Sequence, residues 1–191
     1  ARRRRPLNPS PPSPGVAAAA AGPLALVSFS QVIDSAWAMA LDRAVKAGRL
    51  LAHVLLARAS APSAARPVTL VGYGMGARVV FHCLLELVRA GAASGVVEHA
   101  VLLGAPVTVR PERWAMARAA VAGRFVNGYS RADWVLAVVF RASTGFVRPA
   151  GGLCPVPVAG VENVNLGALV KGHLDYGDAL PEIVELIGLG G

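Results

Sequence analysis

The sequence is poor in aromatic residues and lacks a long apolar run. Aromatic residues make up 6% of the 191 residues, although hydrophobic residues make up 54%. This length and composition indicate one compact α/β domain with enough chain for a hydrophobic core. No apolar stretch reaches the roughly 18 to 20 residues that a membrane-spanning helix requires. We therefore expect this segment itself to be soluble, although a span could lie in sequence beyond it.

Acidic residues are also few, with 11 against 19 lysines and arginines and a net charge of +8. The run from Arg2 to Arg5 supplies four of these positive charges, and the remaining basic residues are scattered. They are not interleaved with aromatic residues, as they are in nucleic-acid-binding faces. We therefore predict no nucleic-acid partner.

Cysteine occurs only twice in the chain. Cys83 lies in a predicted helix, and Cys154 lies in a loop rich in glycine and proline. Two cysteines in such different settings indicate no disulfide framework, so a reducing environment on the cytosolic side of a membrane is expected. No metal site and no cofactor site are predicted.

The chain is predicted to consist of two regions. Residues 1–23 are rich in arginine, proline and alanine and are expected to be disordered. Residues 24–191 alternate predicted strands and helices, which indicates a parallel sheet with right-handed crossovers. The predicted elements are a helix at 35–58, strands at 68–71, 97–103, 124–130 and 161–166, helices at 77–90 and 112–122, an apolar helix or packed loop at 134–141, a long connection at 145–160 and a helix at 180–187.

The most informative stretch is an apolar strand followed by a glycine-rich turn and an amphipathic helix, VTLVGYGMGARVVFHCLLEL. Gly72 and Gly76 occupy the flanking positions of a G-x-S-x-G nucleophile elbow, where larger side chains would collide with the strand and helix. Gly74 stands where that motif has serine, between Tyr73 and Met75. The alternative is a phosphate-binding loop or a plain crossover. However, the spacing does not match G-x-G-x-x-G, and no P-loop lysine follows.

Two later residues extend this pattern. In the hydrolase fold the nucleophile, the acid and the histidine follow in that chain order, and here the order is Gly74, Asp133, His173. All three come after predicted strands, at the edge where parallel sheets carry functional groups. Asp133 would orient the His173 imidazole. Alone, Asp133 would be a helix N-cap and His173 an exposed loop histidine, and Asp175 is a competing acid that we rank second.

The glycine at position 74 changes the expected chemistry. Without a side chain it can neither attack a carbonyl carbon nor form an acyl intermediate, so ordinary serine-hydrolase activity is expected to be absent. A water-activating pair of Asp133 and His173 is one alternative. Another is a substitute nucleophile, although no helix or strand geometry evidently brings one to the turn; the candidates are Ser130, Ser143 and Cys83.

Residues from about Val32 to the C-terminus resemble the C-terminal α/β-hydrolase-like region of the transmembrane and coiled-coil domain-containing protein family. The resemblance rests on the segments RPVTLVGYGMGARVVFHCLLEL, VLLGAPV, VAGRFVNGYSRADWVL, GVENVN and VKGHLDY. It implies a partial α/β-hydrolase fold without its early strands, and membrane association of the full-length protein. The family's serine maps onto Gly74, its acid onto Asp133 and its histidine onto His173. With the upstream portions absent, the strand at Val68 is expected to have an unpaired edge.

Three functions are compatible with these observations. The first is a degenerate serine-hydrolase-like domain, a pseudoenzyme that binds a lipid or ester ligand or a membrane or trafficking protein. The second is an active ester or lipid hydrolase, if Gly74 is a sequence error or an engineered change, or if a substitute nucleophile exists. The third is a trafficking adaptor that uses the surface of the fold. Partner capture by such an adaptor would survive changes at Asp133 and His173.

Overall fold

The structure is a computed structural model that describes residues 14–61, 66–92, 95–144 and 148–188, with side chains from residue 35 onward except 142–144. The chain divides into two compact units, Ala1–Ala36 and Trp37–Gly191. Of the predicted disordered segment, residues 1–13 lie outside the described residues. The first helix begins at Pro14, well before the predicted start at residue 35.

Helices and strands alternate along the chain as the sequence predicts, and apart from the start of the first helix their boundaries differ from the predicted ones by a few residues. A short helix, α5, was not predicted. The elements are α1 (Pro14–Ala59), β1 (Val68–Tyr73), α2 (Met75–Arg89), β2 (Val97–Leu103), α3 (Pro111–Ala119), β3 (Phe125–Tyr129), α4 (Trp134–Thr144), a 3-10 turn (Gly151–Leu153), β4 (Val161–Asn165), α5 (Asp175–Asp178) and α6 (Leu180–Ile187).

The strands form one sheet in which every pair is parallel and the order is β1-β2-β3-β4. The predicted parallel α/β sheet is therefore confirmed. Because crossovers between parallel strands are right-handed, this sequential order places the connecting helices on one face. Leu84 of α2 and Trp114 of α3 pack there with Leu102 of β2. On the other face, Leu103 packs with Ile183 of α6.

The first strand is less buried than its apolar sequence suggests. A β-branched apolar run is typical of a buried parallel strand, but Val71 is 45% exposed and Tyr73 is 51% exposed. Within the described part of the chain, β1 pairs only with β2, so its other edge is unpaired. Exposure alternates along β1, so one face of this strand is uncovered. On that side of the sheet, the described core cluster that includes Ile183 of α6 contains residues of β2 and β3 but none of β1.

A glycine allows α1 to lie very close to α2. A Cβ atom on Gly48 would stand 2.5 Å from the Val79 carbonyl oxygen and 2.8 Å from the His82 Cβ atom. No larger side chain fits at that distance from helix backbone without a shift of one helix. Gly48 is buried in this contact between the two helices.

Two asparagines hold the described part of the long connection before β4. Asn127 of β3 is fully buried, and its side-chain amide donates to the Gly151 carbonyl oxygen at 3.1 Å and to Asn163 Oδ1 at 3.1 Å. Asn163 in turn accepts from the Val156 N–H at 2.8 Å and donates to the Val156 carbonyl oxygen at 2.9 Å. These bonds satisfy the buried Asn127 amide nitrogen and fix the described part of this segment against the sheet, while Oδ1 of Asn127 is buried without a hydrogen-bond partner among the described residues.

Candidate functional site

The turn between β1 and α2 has the geometry of a sharp strand-to-helix elbow. Gly74 is buried and adopts φ 53° and ψ −125°, a region that residues with side chains rarely occupy. A Cβ atom on Gly72 would lie 2.7 Å from the backbone C and O atoms of Gly76. Gly72 is therefore required by close backbone approach. Gly76 is not, because a Cβ atom there would meet nothing within 4 Å, which corrects the expectation of a collision at both flanking positions.

Asp133 lies between β3 and α4 with its side chain fully buried. Its Oδ1 atom accepts the N–H of Leu136 at 2.9 Å, which is the bond of a helix N-cap. Its Oδ2 atom lies 2.8 Å from Nδ1 of His173. The carboxylate thus makes both contacts that the sequence presented as alternatives.

His173 lies in the loop after β4, and its ring is directed at the elbow. Since the Asp133 carboxylate accepts at Nδ1, the proton is on Nδ1 and Nε2 is the atom free for other chemistry. A Cβ atom on Gly74 would stand 3.8 Å from that Nε2 atom. The structure therefore brings together the three positions that chain order predicts. Asp133 contacts His173, and His173 faces Gly74, which has no side chain at the position of the nucleophile.

The competing acid has a different partner. Asp175 Oδ2 accepts the backbone N–H groups of Lys171 and Gly172, each at 2.8 Å. These bonds close a turn around His173. Asp175 therefore stabilises the loop that carries the histidine, while Asp133 contacts the ring.

Two of the candidate substitute nucleophiles, Ser130 and Cys83, have side chains held away from the elbow. Ser130 is fully buried, and its hydroxyl donates to the Val170 carbonyl oxygen at 2.8 Å, which ties the end of β3 to the histidine loop. Cys83 is buried in the core between α2 and the sheet, and burial raises the pKa of its thiol to about 12. The side chain of Ser143 lies outside the described residues.

Two stacked tyrosine rings, Tyr73 and Tyr176, lie beside His173, and no motif in the sequence indicates this pair. Tyr176 is fully buried, its ring stacks on Tyr73 with centroids 6.5 Å apart, and its edge meets the His173 ring at 6.2 Å. Gly104 makes room for it, since a Cβ atom there would lie 2.6 Å from the tyrosine ring. The only signal in the sequence was the short spacing between His173 and Tyr176, which fits any local turn.

An open cleft of about 460 Å³ lies over the elbow and is lined by Val71, Gly72, Tyr73, Gly74, Met75, Gly76 and His173. The first N–H groups of a helix have no acceptor within the helix, so the Met75 N–H at the start of α2 is available to a ligand oxygen. The cleft is therefore lined both by the imidazole of His173 and by the residue that supplies this backbone donor. Among the described residues, no three metal-ligating side chains are grouped.

The hydrogen bond that His173 donates to Asp133 raises the pKa of His173, and the negative charge of Asp133 adds to this, while partial burial acts in the opposite direction. A histidine pKa raised by folding contributes stability below the unfolded value of about 6.5. That contribution is lost as the pH rises through the folded value.

We expect the Asp133→Asn substitution to lower the pKa of His173, because the neutral amide removes both effects that raise it and leaves burial. An NMR titration of the imidazole Cε1–H resonance measures this pKa. Asp175→Asn is the matched control, since it removes a carboxylate that does not contact the ring. A larger fall in Asp175→Asn than in Asp133→Asn would contradict the assignment.

Comparison with known proteins identifies the family of this chain. The model of a family described as proteins of unknown function, DUF726, matches residues 13–190. The chain belongs to the DUF726 family. No solved structure matches it.

Three relatives of this DUF726 chain carry names. It is 49% identical over 175 residues to the transmembrane and coiled-coil domain-containing protein STS1 of Oryza sativa, covering 92% of this chain and 26% of that protein. It is 44% identical over 168 residues to the probable lipase MIL1 of Saccharomyces cerevisiae, covering 87% and 15%. The uncharacterized membrane protein F35D11.3 of Caenorhabditis elegans is 40% identical over 178 residues, with 92% and 28% covered.

These relatives confirm the resemblance to the transmembrane and coiled-coil domain-containing proteins. The DUF726 chain spans between 15% and 28% of their lengths. Two of the three are named as transmembrane or membrane proteins, and none of the described helices of this chain is long and apolar enough to cross a bilayer.

Proposed function

We propose that this DUF726 chain is a serine-hydrolase-like domain that binds an ester or lipid ligand without cleaving it. The observation that carries the proposal is the 3.8 Å between His173 Nε2 and a Cβ atom placed on Gly74. The histidine faces the position of a nucleophile, and the residue at that position has no side chain to attack with.

The remaining groups of the cleft favour binding of a carbonyl compound. His173 keeps its orientation through Asp133, and the Met75 N–H at the start of α2 suits a carbonyl oxygen. Tyr73 and Val71 line the same cleft with apolar surface that suits an acyl chain. A ligand with an ester group and a hydrocarbon chain therefore matches both the polar and the apolar parts of the cleft.

An active hydrolase is the second candidate, and two observations favour it. Asp133 and His173 keep the contact that a working site needs, and one relative is named a probable lipase. Activity would then require a substitute nucleophile or a water molecule activated by Nε2 of His173.

The test is to mix the complete chain with p-nitrophenyl octanoate and follow both binding and product release. We expect the ester to shift the amide NMR signals of Gly72, Gly74 and Gly76, with no more p-nitrophenol release than from the His173→Ala variant. Release that the His173→Ala variant loses would support the active hydrolase. A folded chain whose amide signals do not shift would support an adaptor that uses the fold surface.

A further inference from the structure

The outer face of α4 carries large exposed apolar side chains. Trp134 is 66% exposed and Val138 is 60% exposed, and their spacing of four residues places them on one side of the helix. Arg141, three residues further, continues the same stripe and is exposed. Leu136 and Phe140 are buried on the opposite side. The helix is therefore amphipathic, with tryptophan and arginine on its exposed face.

A second cleft, of about 310 Å³, lies beside this face. Arg131 and Arg141 supply its charged lining, and its apolar lining consists of Ala137, Phe140, Pro149, Ala150, Leu153 and Cys154. Neither guanidinium forms an ion pair with a carboxylate among the described side chains. Two uncompensated positive charges at one cleft favour an anionic group as its occupant.

The position of this face connects it with the site. Trp134 follows Asp133 directly, and Leu174, which is 89% exposed, follows His173 directly. Asp133 and His173 are hydrogen bonded to each other, so Trp134 and Leu174 each follow a residue whose side chain this bond holds in place. Apolar exposure of this kind at one end of a domain is typical of an interaction surface.

We propose that the α4 face, defined as Arg131, Trp134, Val138 and Arg141, docks on the surface of an anionic phospholipid bilayer. Tryptophan favours the headgroup level of a bilayer, and arginine reaches phosphate groups while its alkyl stem covers apolar surface. The cleft between Arg131 and Arg141 would hold one lipid phosphate. The match of charge and the apolar stripe together favour a bilayer over a free anion.

Sedimentation of the complete chain with vesicles tests this. We expect binding to vesicles of phosphatidylcholine and phosphatidylserine, and weak binding to phosphatidylcholine alone. The double variant Arg131→Glu, Arg141→Glu is expected to lose about tenfold or more in affinity, because each basic residue near an anionic surface contributes about 1 kcal/mol. Trp134→Ser is expected to weaken binding as well, without any change of charge.

The matched control is Arg58→Glu, Arg66→Glu, which makes the same change of charge at two exposed residues on the side where β1 begins. Equal loss in the two double variants would mean unspecific attraction by net charge and would overturn the proposal. A folded Trp134→Ser variant that binds as well as the unmodified chain would mean phosphate recognition without bilayer docking. Release of the chain by inorganic phosphate at constant ionic strength would mean the same. The vesicle experiment measures binding and not hydrolysis, so its result does not depend on the proposed function.

Discussion

Gly74→Ser is expected to make the complete chain react with a fluorophosphonate probe that leaves the unmodified chain unlabelled. The seryl oxygen would extend from a Cβ atom 3.8 Å from His173 Nε2, within reach of a hydrogen bond to it. Restoring a nucleophile to an oriented histidine and acid is expected to raise the labelling rate by roughly 10³-fold or more. The same change is expected to cost about 1–3 kcal/mol of stability, because position 74 has a positive φ.

Two variants control this experiment. Gly74→Ala carries the same backbone strain without the hydroxyl, so it separates lost stability from gained reactivity. Gly74→Ser with His173→Ala is expected to lose the labelling again. Labelling of the unmodified chain would point to a substitute nucleophile, and a folded Gly74→Ser variant that stays unlabelled would mean that the site is altered at more than one residue.

Gly72→Ala is expected to destabilise the chain by about 3 kcal/mol, the upper end of the range for overpacking. The added methyl group would lie 2.7 Å from backbone atoms of Gly76, which cannot rotate away as a side chain could. For a chain of this size, that loss lowers the midpoint of thermal unfolding by roughly 6–12 °C. Circular dichroism during heating measures the midpoint.

Gly76→Ala is the matched control for this prediction. It adds the same methyl group in the first turn of α2, where nothing lies within 4 Å. Alanine in a helix is about 0.5–1 kcal/mol more favourable than glycine, so the midpoint is expected to stay or to rise slightly. Equal destabilisation by both substitutions would contradict the geometry of the elbow.

The order of the elements could be predicted because their signals are local. The apolar run of β1, the glycine turn and the helical spacing of α2 all lie within VTLVGYGMGARVVFHCLLEL, and the parallel sheet follows from alternating strands and helices. The burial of β1 could not be predicted from its composition, since it depends on which of its two faces another element covers. The two flanking glycines look equivalent in the motif, but only Gly72 approaches another backbone closely.

The candidate site likewise depends partly on chain order and partly on contacts between distant residues. Chain order predicted Asp133 and His173 as partners, while their distance of 2.8 Å across 40 residues of separation depends on the register of β3, β4 and the histidine loop. The role of Tyr176 could not be predicted, because it arises from stacking on Tyr73, which lies at the end of β1 and far from Tyr176 in the chain.

The sequence by itself determined that position 74 has no nucleophile, because a glycine lacks a side chain in any fold. It also determined the chain order of the acid and the histidine. Only the tertiary structure decided that the vacant position faces His173 Nε2 and that Asp133 both caps α4 and orients the ring. The contacts of His173 with Asp133 and with position 74 join residues far apart in the chain, and they exist because parallel strands bring their carboxyl ends to one edge of the sheet.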